Sequence, residues 1–248
     1  MKSQLTAEHI PPQNAFNKGQ VKIYNLIDST LAGQPSWDNS NIFGEISQNG
    51  FKLYTLCSNC NNKTGSWYGL AYGDFVRQVE PVITIHKGKP NEMYSGIVKE
   101  TYPLRVFKQI LSMFCSVNYG FIELDPLRKF VNQKEACYEL SDFRVYTYIQ
   151  PTRECKIIPL QTKLTHNADM SEIYSQERMS EISVYPLGFI LSVGSLNNSE
   201  LVDITDFAKC AYGNKCDVEL QIPVKERNSP YMGDFRTKGK ITGDGDDI

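Results

Sequence analysis

The first third of the chain combines a strand-like and a helix-like pattern of apolar positions. In "FKLYTLC", Phe51, Leu53 and Thr55 fall on one face, as the side chains of a β-strand do. In the following "SWYGLAYGDFVRQVE", apolar residues such as Trp67 and Phe75 recur near one side of a helix. A strand, a turn rich in Cys and Asn, and a helix together predict a small compact unit.

The rest of the chain holds one strong helix and many strand signals. The stretch "PLRVFKQILSMFCSVNYG" places Phe107, Ile110 and Phe114 on one helical face, and Gly120 suits its end. The stretch "EPVITIHKGK" predicts a strand that ends in a turn. From Phe143 onward the signals are mostly β, in "FRVYTYIQ", "CKIIPLQTKL", "EISVYPLGFILSV", "LVDITDF" and "CDVELQIPV".

These patterns predict an α+β protein with two modules and a tail. The first module spans residues 1–85. A mixed α+β module that is mostly β-sheet spans residues 86–240, and its expected role is substrate, partner or regulatory contact. The polar, Gly- and Asp-rich residues 241–248 predict a flexible tail.

Composition excludes several classes of protein. Among 248 residues, 41% are hydrophobic and 22% are charged, which is typical of a globular protein. No apolar run approaches the ~20 residues that a membrane span needs, and the first residues lack the apolar core of a signal peptide, so we expect a cytoplasmic protein without membrane contact. The net charge of −2 predicts that any binding of nucleic acid depends on a local patch, a metal or a partner.

Two short motifs carry candidate chemistry. Near the start, "EHIPP" joins Glu8 and His9 to a pair of prolines, and "LCSNCNNKTG" later joins a C-x-x-C pair to Asn61. A carboxylate and an amide oxygen suit Mg²⁺ or Mn²⁺, and a histidine that titrates near neutrality can accept the proton of an attacking water. Each motif alone has an ordinary explanation, since Glu-His before prolines is commonly a solvated turn.

The combination resembles the HNH, or ββα-metal, endonuclease family over about residues 5–80. In that family a hairpin carries an acidic residue and the catalytic histidine, and a later turn opens a helix that completes a metal site. The resemblance implies that Glu8 is a metal ligand, His9 the general base and Asn61 the distal metal ligand. It also implies that Lys63 lies near the substrate phosphate.

The implied function is hydrolysis of DNA phosphodiester bonds, with RNA not excluded. A regulated effector of a bacterial or phage nuclease system, including antiviral defence, fits a near-neutral chain, and a protein partner or a homo-oligomer would control its activity. The alternative is a catalytically inactive HNH-like module that binds nucleic acid or a protein partner. A third hypothesis is a structural component in which "EHIPP" is a simple turn.

Three departures from the family pattern bear on these expectations. The position of the central asparagine, which normally braces the loop with the catalytic histidine, holds Lys52, and the nearest asparagine is Asn49. Cys57 and Cys60 supply half of a structural Zn²⁺ site, and the other half is absent unless distant cysteines such as Cys210 and Cys216 join them. The long segment between His9 and Asn61 predicts an insertion that loops out of the hairpin.

The position of Glu8 beside His9 sets a geometric condition. Neighbouring residues on a strand point to opposite faces, so both side chains reach one site only if the chain bends or twists there. The stiff Pro11–Pro12 pair predicts such a bend.

The other candidate residues favour structural roles. His86 is expected to be structural or on the surface, and His166 to be solvated in a polar loop. The aromatic residues of "SWYGLAY" suit base stacking or core packing, and their helical spacing favours the core. The basic stretch "KERNSPYMGDFRTKGK" suits phosphate contact or a solvated surface, and the surface is favoured.

Overall fold

The computed structural model of the protein is mixed α+β, as the sequence predicts, with most strands in the C-terminal part. Within the described residues, none of the helices combines the length and apolar character that crossing a bilayer requires. The structure describes residues 4–244 except for residues 26–27, 29–30, 32, 34, 36, 87–88, 139–141, 163–177, 195–199 and 230.

The N-terminal elements form two small antiparallel ladders and a continuous helical segment. Strand β1 pairs with β4, and β2 pairs with β3 in the segment between them, so the predicted insertion carries a ladder of its own. Helix α1 starts immediately after β4 and passes through a π-helical turn into α2. The elements are β1 (Leu5–His9), β2 (Val21–Ile23), β3 (Glu45–Ser47), β4 (Lys52–Cys57), α1 (Ser58–Thr64), the π-helical turn (Gly65–Gly69) and α2 (Leu70–His86).

The C-terminal elements surround a five-stranded antiparallel sheet with the order β10-β6-β9-β8-β7. A separate ladder joins β5 and β11. The elements are β5 (Met93–Thr101), α3 (Pro103–Val117), a 3₁₀ turn (Ile122–Leu124), α4 (Asp125–Asn132), β6 (Phe143–Ile149), β7 (Lys156–Thr162), β8 (Arg178–Ser183), β9 (Leu187–Val193), β10 (Val202–Asp203), a 3₁₀ turn (Thr205–Lys209), β11 (Cys216–Pro223) and α5 (Lys238–Thr242).

Helix α3 lies at the centre of the molecule. Between Pro103 and Ser116, every side chain except that of Arg105 is buried. One cluster of buried apolar side chains extends from Ile10 through α3 to Val224, so the core draws on both of the predicted modules. Burial of this helix positions everything that packs on it, including β4 and the π-helical turn.

The sheet is covered on both faces. On β9, Phe189 and Leu191 belong to the main core, whereas Ile190 belongs to a smaller cluster that packs against Met232 and Phe235. Such alternation follows from the two-residue period of a strand, and burial on both faces explains the continuous apolar run of β9. The predicted strand "EISVYPLGFILSV" is two strands, because the chain turns at Tyr185–Pro186, where the peptide bond is cis.

The strand predicted in "EPVITIHKGK" is wrong, because these residues form the end of α2 up to His86. Phe75, Val79 and Ile83 are buried and continue one helical stripe, so burial along α2 outweighs the strand propensity of the Val-Ile-Thr-Ile run. The helix passes through Pro81, which lies on its exposed side.

The basic C-terminal stretch is not all on the surface, because Arg227, Asn228 and Ser229 are buried. Arg227 forms an ion pair with Glu181, and both side chains are fully buried. Tyr148 donates to Glu181 Oε1 at 2.6 Å, and Arg227 also donates to the carbonyl of Tyr231 at 2.8 Å. This network fastens the segment after β11 to the sheet, and the expectation of a solvated surface is wrong for Arg227.

Gly188 provides the first test of this packing. It lies opposite Tyr148 in the sheet, and a Cβ at Gly188 would lie 2.0 Å from the Tyr148 ring. We expect Gly188→Ala to lower the free energy of unfolding by about 1–3 kcal/mol or more, because the buried ring would have to move. Gly96→Ala on β5 is the matched control, since nothing lies within 4 Å of its Cβ. Equal stability of both variants in urea denaturation would contradict the prediction.

Candidate functional site

One pocket brings together the three residues on which the sequence interpretation depends. Glu8 and His9 of β1 and Asn61 of α1 all line this cavity of about 290 Å³, which we call the β1–α1 pocket. Its other walls come from the turn after β1, the π-helical turn and α3. Since π-helical turns often occur at functional sites, this wall is an additional indication of a binding site.

His9 ends β1 with its imidazole held by two neighbours. Gln13 Nε2 lies 3.1 Å from His9 Nε2 and can donate to it. The backbone of Asn49 also hydrogen-bonds the ring. Partial burial lowers the pKa of His9, the positive charge of Lys52 lowers it further, and the Asn49 bond opposes both. A neutral imidazole with Nε2 as acceptor follows at pH 7.

Glu8 points the other way, into the interior, and is only 4% exposed. Its carboxyl oxygens accept from Ser112 Oγ at 3.4 Å and from Ser116 Oγ, one helical turn apart on α3. Burial raises the pKa of Glu8 to about 7, and the two serine hydroxyls oppose this shift. The carboxyl group is therefore poised between its neutral and charged forms at physiological pH.

The backbone around Glu8 and His9 departs from a regular strand on both sides. The register of the β1–β4 ladder shifts between Thr6 and Glu8, which increases local twist. After His9 the chain bends at Ile10–Pro11, and a turn follows in which the amide of Ala15 donates to the carbonyl of Pro12 at 2.8 Å. The bend expected at the prolines is present, and the irregularity before Glu8 adds to it.

Asn61 joins the first turns of α1 to β1. Its Nδ2 donates to the Ala7 carbonyl at 2.8 Å and lies 3.2 Å from Thr6 Oγ1. Within the described residues Asn61 Oδ1 accepts no hydrogen bond, so this oxygen is available to a ligand. The amide thus fixes the helix against the strand that carries Glu8 and His9.

Asn17 braces the loop around His9, a role that the sequence interpretation sought at position 52. Asn17 Nδ2 donates to the carbonyls of Pro11 at 2.7 Å and Phe51 at 2.8 Å, and Oδ1 accepts from the amide of Phe51 at 2.8 Å. Gly50 permits this contact, because a Cβ there would lie 2.6 Å from the Asn17 carbonyl oxygen. Lys52 instead lies opposite His9 in the β1–β4 ladder.

Two further pocket residues were not anticipated. Asn14 donates from Nδ2 to the Gly69 carbonyl at 2.9 Å, and Gln109 is a buried residue of central helix α3. Asn14 Oδ1 and Gln109 Oε1 are both buried without a hydrogen-bond partner among the described residues. Gly73 leaves room for Asn14, since a Cβ there would lie 2.3 Å from the Asn14 side chain. In the sequence, the glycines of "SWYGLAYG" were the only feature that could have indicated this contact.

The remaining candidates lie apart from the β1–α1 pocket. Lys63 does not line it, and its ammonium lies 5.9 Å from the centre of the Trp67 ring. Cys57 and Cys60 hydrogen-bond each other, and burial together with this contact raises the pKa of Cys60. Among the described residues, no three His, Cys, Asp or Glu side chains lie close enough to share a metal ion, and Cys210 and Cys216 do not join the C-x-x-C pair.

The sequence predicts structural or surface roles for the two other histidines. His86 is the last residue of α2 rather than the end of a strand. His166 lies outside the described residues, and its expected exposure stays a prediction.

The Asn17 brace predicts a large loss of stability on truncation. Asn17→Ala removes three hydrogen bonds and leaves the buried Pro11 carbonyl and the partly buried backbone groups of Phe51 without this partner, so we expect a loss of about 2–4 kcal/mol. Gln20→Ala, on the exposed surface nearby, is the control and should change stability by less than about 0.5 kcal/mol. Urea denaturation measures both values, and a loss below about 1 kcal/mol for Asn17→Ala would argue against the brace.

Burial of Glu8 predicts that Glu8→Gln stabilises the protein by an amount that depends on pH. The folded-state pKa lies above the ordinary value of 4.5, so the contribution of Glu8 to stability is present below pH 4.5 and is lost as the pH rises through about 7. Between pH 4 and pH 8, we expect the free energy of unfolding of Glu8→Gln to rise by up to about 3 kcal/mol relative to that of the wild type.

Denaturation at both pH values measures this difference. Glu219→Gln, exposed on β11, is the control and should show no such dependence. A gain that is the same at pH 4 and pH 8 would show that the Glu8 carboxyl is not held in the interior as described.

Comparisons with known proteins leave the site to be interpreted from its own geometry. No protein-family model, no curated protein and no solved structure matches this chain. The resemblance in the sequence motifs therefore rests on the residues quoted above, and the activity that it implies is a matter for proposal.

Proposed function

We propose that the β1–α1 pocket hydrolyses phosphodiester bonds of DNA with the help of Mg²⁺ or Mn²⁺, in the manner of an HNH endonuclease. The observation that carries this proposal is that Glu8, His9 and Asn61 line one pocket although the chain segments that supply them are far apart in sequence. Asn61 bonds directly to Ala7, 54 positions earlier, beside Glu8 and His9.

His9 is the general base in this proposal. Its lowered pKa favours the neutral imidazole at pH 7, and Nε2, which faces Gln13, can accept a proton from water. Gln13 holds the same nitrogen and would exchange its hydrogen bond for one from the attacking water. A positioned base of this kind typically contributes ~10²–10⁴-fold to the rate.

Glu8 and Asn61 offer oxygens of the kind that a hard divalent cation binds, and the Glu8 carboxyl would have to exchange Ser112 and Ser116 for the ion. Glu8 and Asn61 would hold it with a carboxylate and an amide oxygen, the ligands that Mg²⁺ and Mn²⁺ favour. The partnerless oxygens of Asn14 and Gln109 would accept hydrogen bonds from water that such an ion retains. Bound there, the cation would neutralise negative charge on the phosphate and on the leaving oxygen.

A structural zinc ion at the C-x-x-C pair is a separate question. Cys57 and Cys60 supply two thiols, whereas structural zinc sites use four ligands, and the described residues place no third ligand beside them. Zinc at this position stays a prediction from the sequence, and no step of the proposed reaction depends on it.

Regulation by a partner forms part of the same proposal. A buried Glu8 carboxyl that binds two serines must ionise before it can hold a cation, which suits a nuclease kept weakly active until needed. A protein partner or a second copy of the chain, in a bacterial or phage defence system, would provide such control. This context comes from the sequence resemblance and the near-neutral charge of the chain.

One observation favours a second candidate, an inactive HNH-like module that binds nucleic acid or protein. Both oxygens of Glu8 already accept hydrogen bonds from Ser112 and Ser116 on α3, as they would if the carboxyl group served only to fasten β1 to the core. In this case the pocket retains its shape without turnover.

A plasmid assay distinguishes the two candidates. With Mg²⁺ or Mn²⁺, we expect the wild-type protein to nick supercoiled DNA and His9→Ala to be slower by at least ~10²-fold, since the base is lost. His166→Ala removes a histidine that the proposal does not use and should nick like wild type. Absence of nicking by wild type with either metal, at a pH above 7 where Glu8 is charged, would favour the inactive module.

A further inference from the structure

Four cationic and three aromatic side chains form an alternating row on the protein surface, which we call the cation–aromatic ladder. Each neighbouring pair consists of a positive group within 6 Å of a ring centre, the range in which cation–π attraction operates. In spatial order, its members are Lys63, Trp67, Lys134, Tyr212, Arg105, Tyr102 and Lys215.

One end of the ladder is built around Trp67. The ammonium groups of Lys63 and Lys134 each lie 5.9 Å from its ring centre, and Lys134 also lies 5.0 Å from the centre of Tyr212. The hydroxyl of Tyr212 donates to the Trp67 carbonyl at 3.1 Å, which fixes the two rings relative to each other. Trp67 is only partly buried. Its neighbour Tyr68 packs in the core, as the sequence predicted.

Arg105 occupies the centre of the ladder. Its guanidinium carbon lies 4.1 Å from the ring centres of both Tyr102 and Tyr212, and its Nε donates to the Tyr212 carbonyl at 3.0 Å. Within the described residues, its two terminal nitrogens donate no hydrogen bond. The Arg105 guanidinium is planar and held in place, and both of its terminal nitrogens are available. This geometry suits two parallel hydrogen bonds to the oxygens of a phosphate group.

The charge of the ladder is not balanced within the described part of the chain. Lys215 pairs with Glu100 at 3.0 Å, but Lys63, Lys134 and Arg105 have no carboxylate partner there. Three uncompensated cations in one row form a local positive surface on a chain with a net charge of −2. Such a surface attracts a polyanion, which releases its counterions on binding.

We infer that the cation–aromatic ladder binds the phosphate backbone of nucleic acid. Two cations engage each ring, so the ladder contacts phosphates and does not stack bases, and its binding is independent of base sequence. The ladder lies outside the β1–α1 pocket, since none of its seven members lines that cavity. This binding requires neither a divalent cation nor hydrolysis, and it goes beyond the proposed nuclease activity.

The test is a binding measurement in EDTA with fluorescently labelled 20-base-pair DNA duplexes of two unrelated sequences, across a range of salt concentrations. The wild-type protein is compared with Lys63→Gln/Lys134→Gln and with Lys18→Gln/Lys89→Gln, which removes the same charge from exposed positions outside the ladder. Lys63→Arg/Lys134→Arg keeps the charge of the ladder. Thermal unfolding of each variant shows that the fold is retained.

The ladder predicts a specific pattern of results. Lys63→Gln/Lys134→Gln should bind on the order of tenfold more weakly at 0.1 M salt, and the slope of log K against log salt should flatten by about 2. The arginine variant and the control pair should bind like wild type, and both duplexes should give the same values. Retention of wild-type affinity and slope by the glutamine variant, equal weakening by the control pair, or no binding by wild type would each overturn the inference.

The binding assay and the plasmid assay test the ladder and the proposed hydrolysis separately. DNA binding in EDTA without nicking in Mg²⁺ or Mn²⁺ would remove the proposed hydrolysis and leave the ladder intact. Nicking that is unaffected by the glutamine variant, together with unchanged binding, would remove the ladder and leave the hydrolysis intact.

Discussion

Burial of α3 on nearly all sides is the constraint on which the rest of the structure depends. A helix surrounded by other elements cannot leave its polar side chains in water, so an unpartnered polar atom is costly there, and Gln109 Oε1 is such an atom on α3. Lys108, inside the helix, donates from its ammonium to the carbonyls of Gln133 and Lys134, and burial lowers its pKa to about 8. Asn118, just past the C-terminal end, donates to Ser180 of the sheet at 2.9 Å.

The same constraint creates the chemistry of the β1–α1 pocket. Ser112 and Ser116 lie one turn apart on α3, and the carboxyl group that satisfies both is Glu8, so β1 is fastened to the core through the residue that the sequence marks as a metal ligand. This arrangement costs stability whenever Glu8 is charged, because burial opposes ionisation more than two hydroxyl groups favour it. A residue that served only to hold β1 could be uncharged at no such cost.

The sequence predicted the helices and strands whose apolar pattern is local. It missed the contacts between residues that lie far apart in the sequence. Strand β4 and helix α3 have apolar patterns visible within a few residues, and both were identified. The end of α2 was taken for a strand, because its Val-Ile-Thr-Ile run favours a strand until the buried stripe through Val79 and Ile83 is known. Asn17 could not be recognised from its spacing to the cysteines, since its partner Phe51 lies 34 positions away and is reached only through the folded insertion.

The ladder and the β1–α1 pocket use opposite sides of one short helix. Asn61 and Lys63 are two positions apart on α1, so their side chains diverge by about 200°, with Asn61 toward the pocket and Lys63 toward Trp67. A polymer bound along the ladder would therefore lie on the side of α1 that faces away from the pocket. The ladder thus gives a near-neutral chain a local positive surface, whereas the lowered pKa of His9 comes from its burial and from Lys52 and not from the ladder cations.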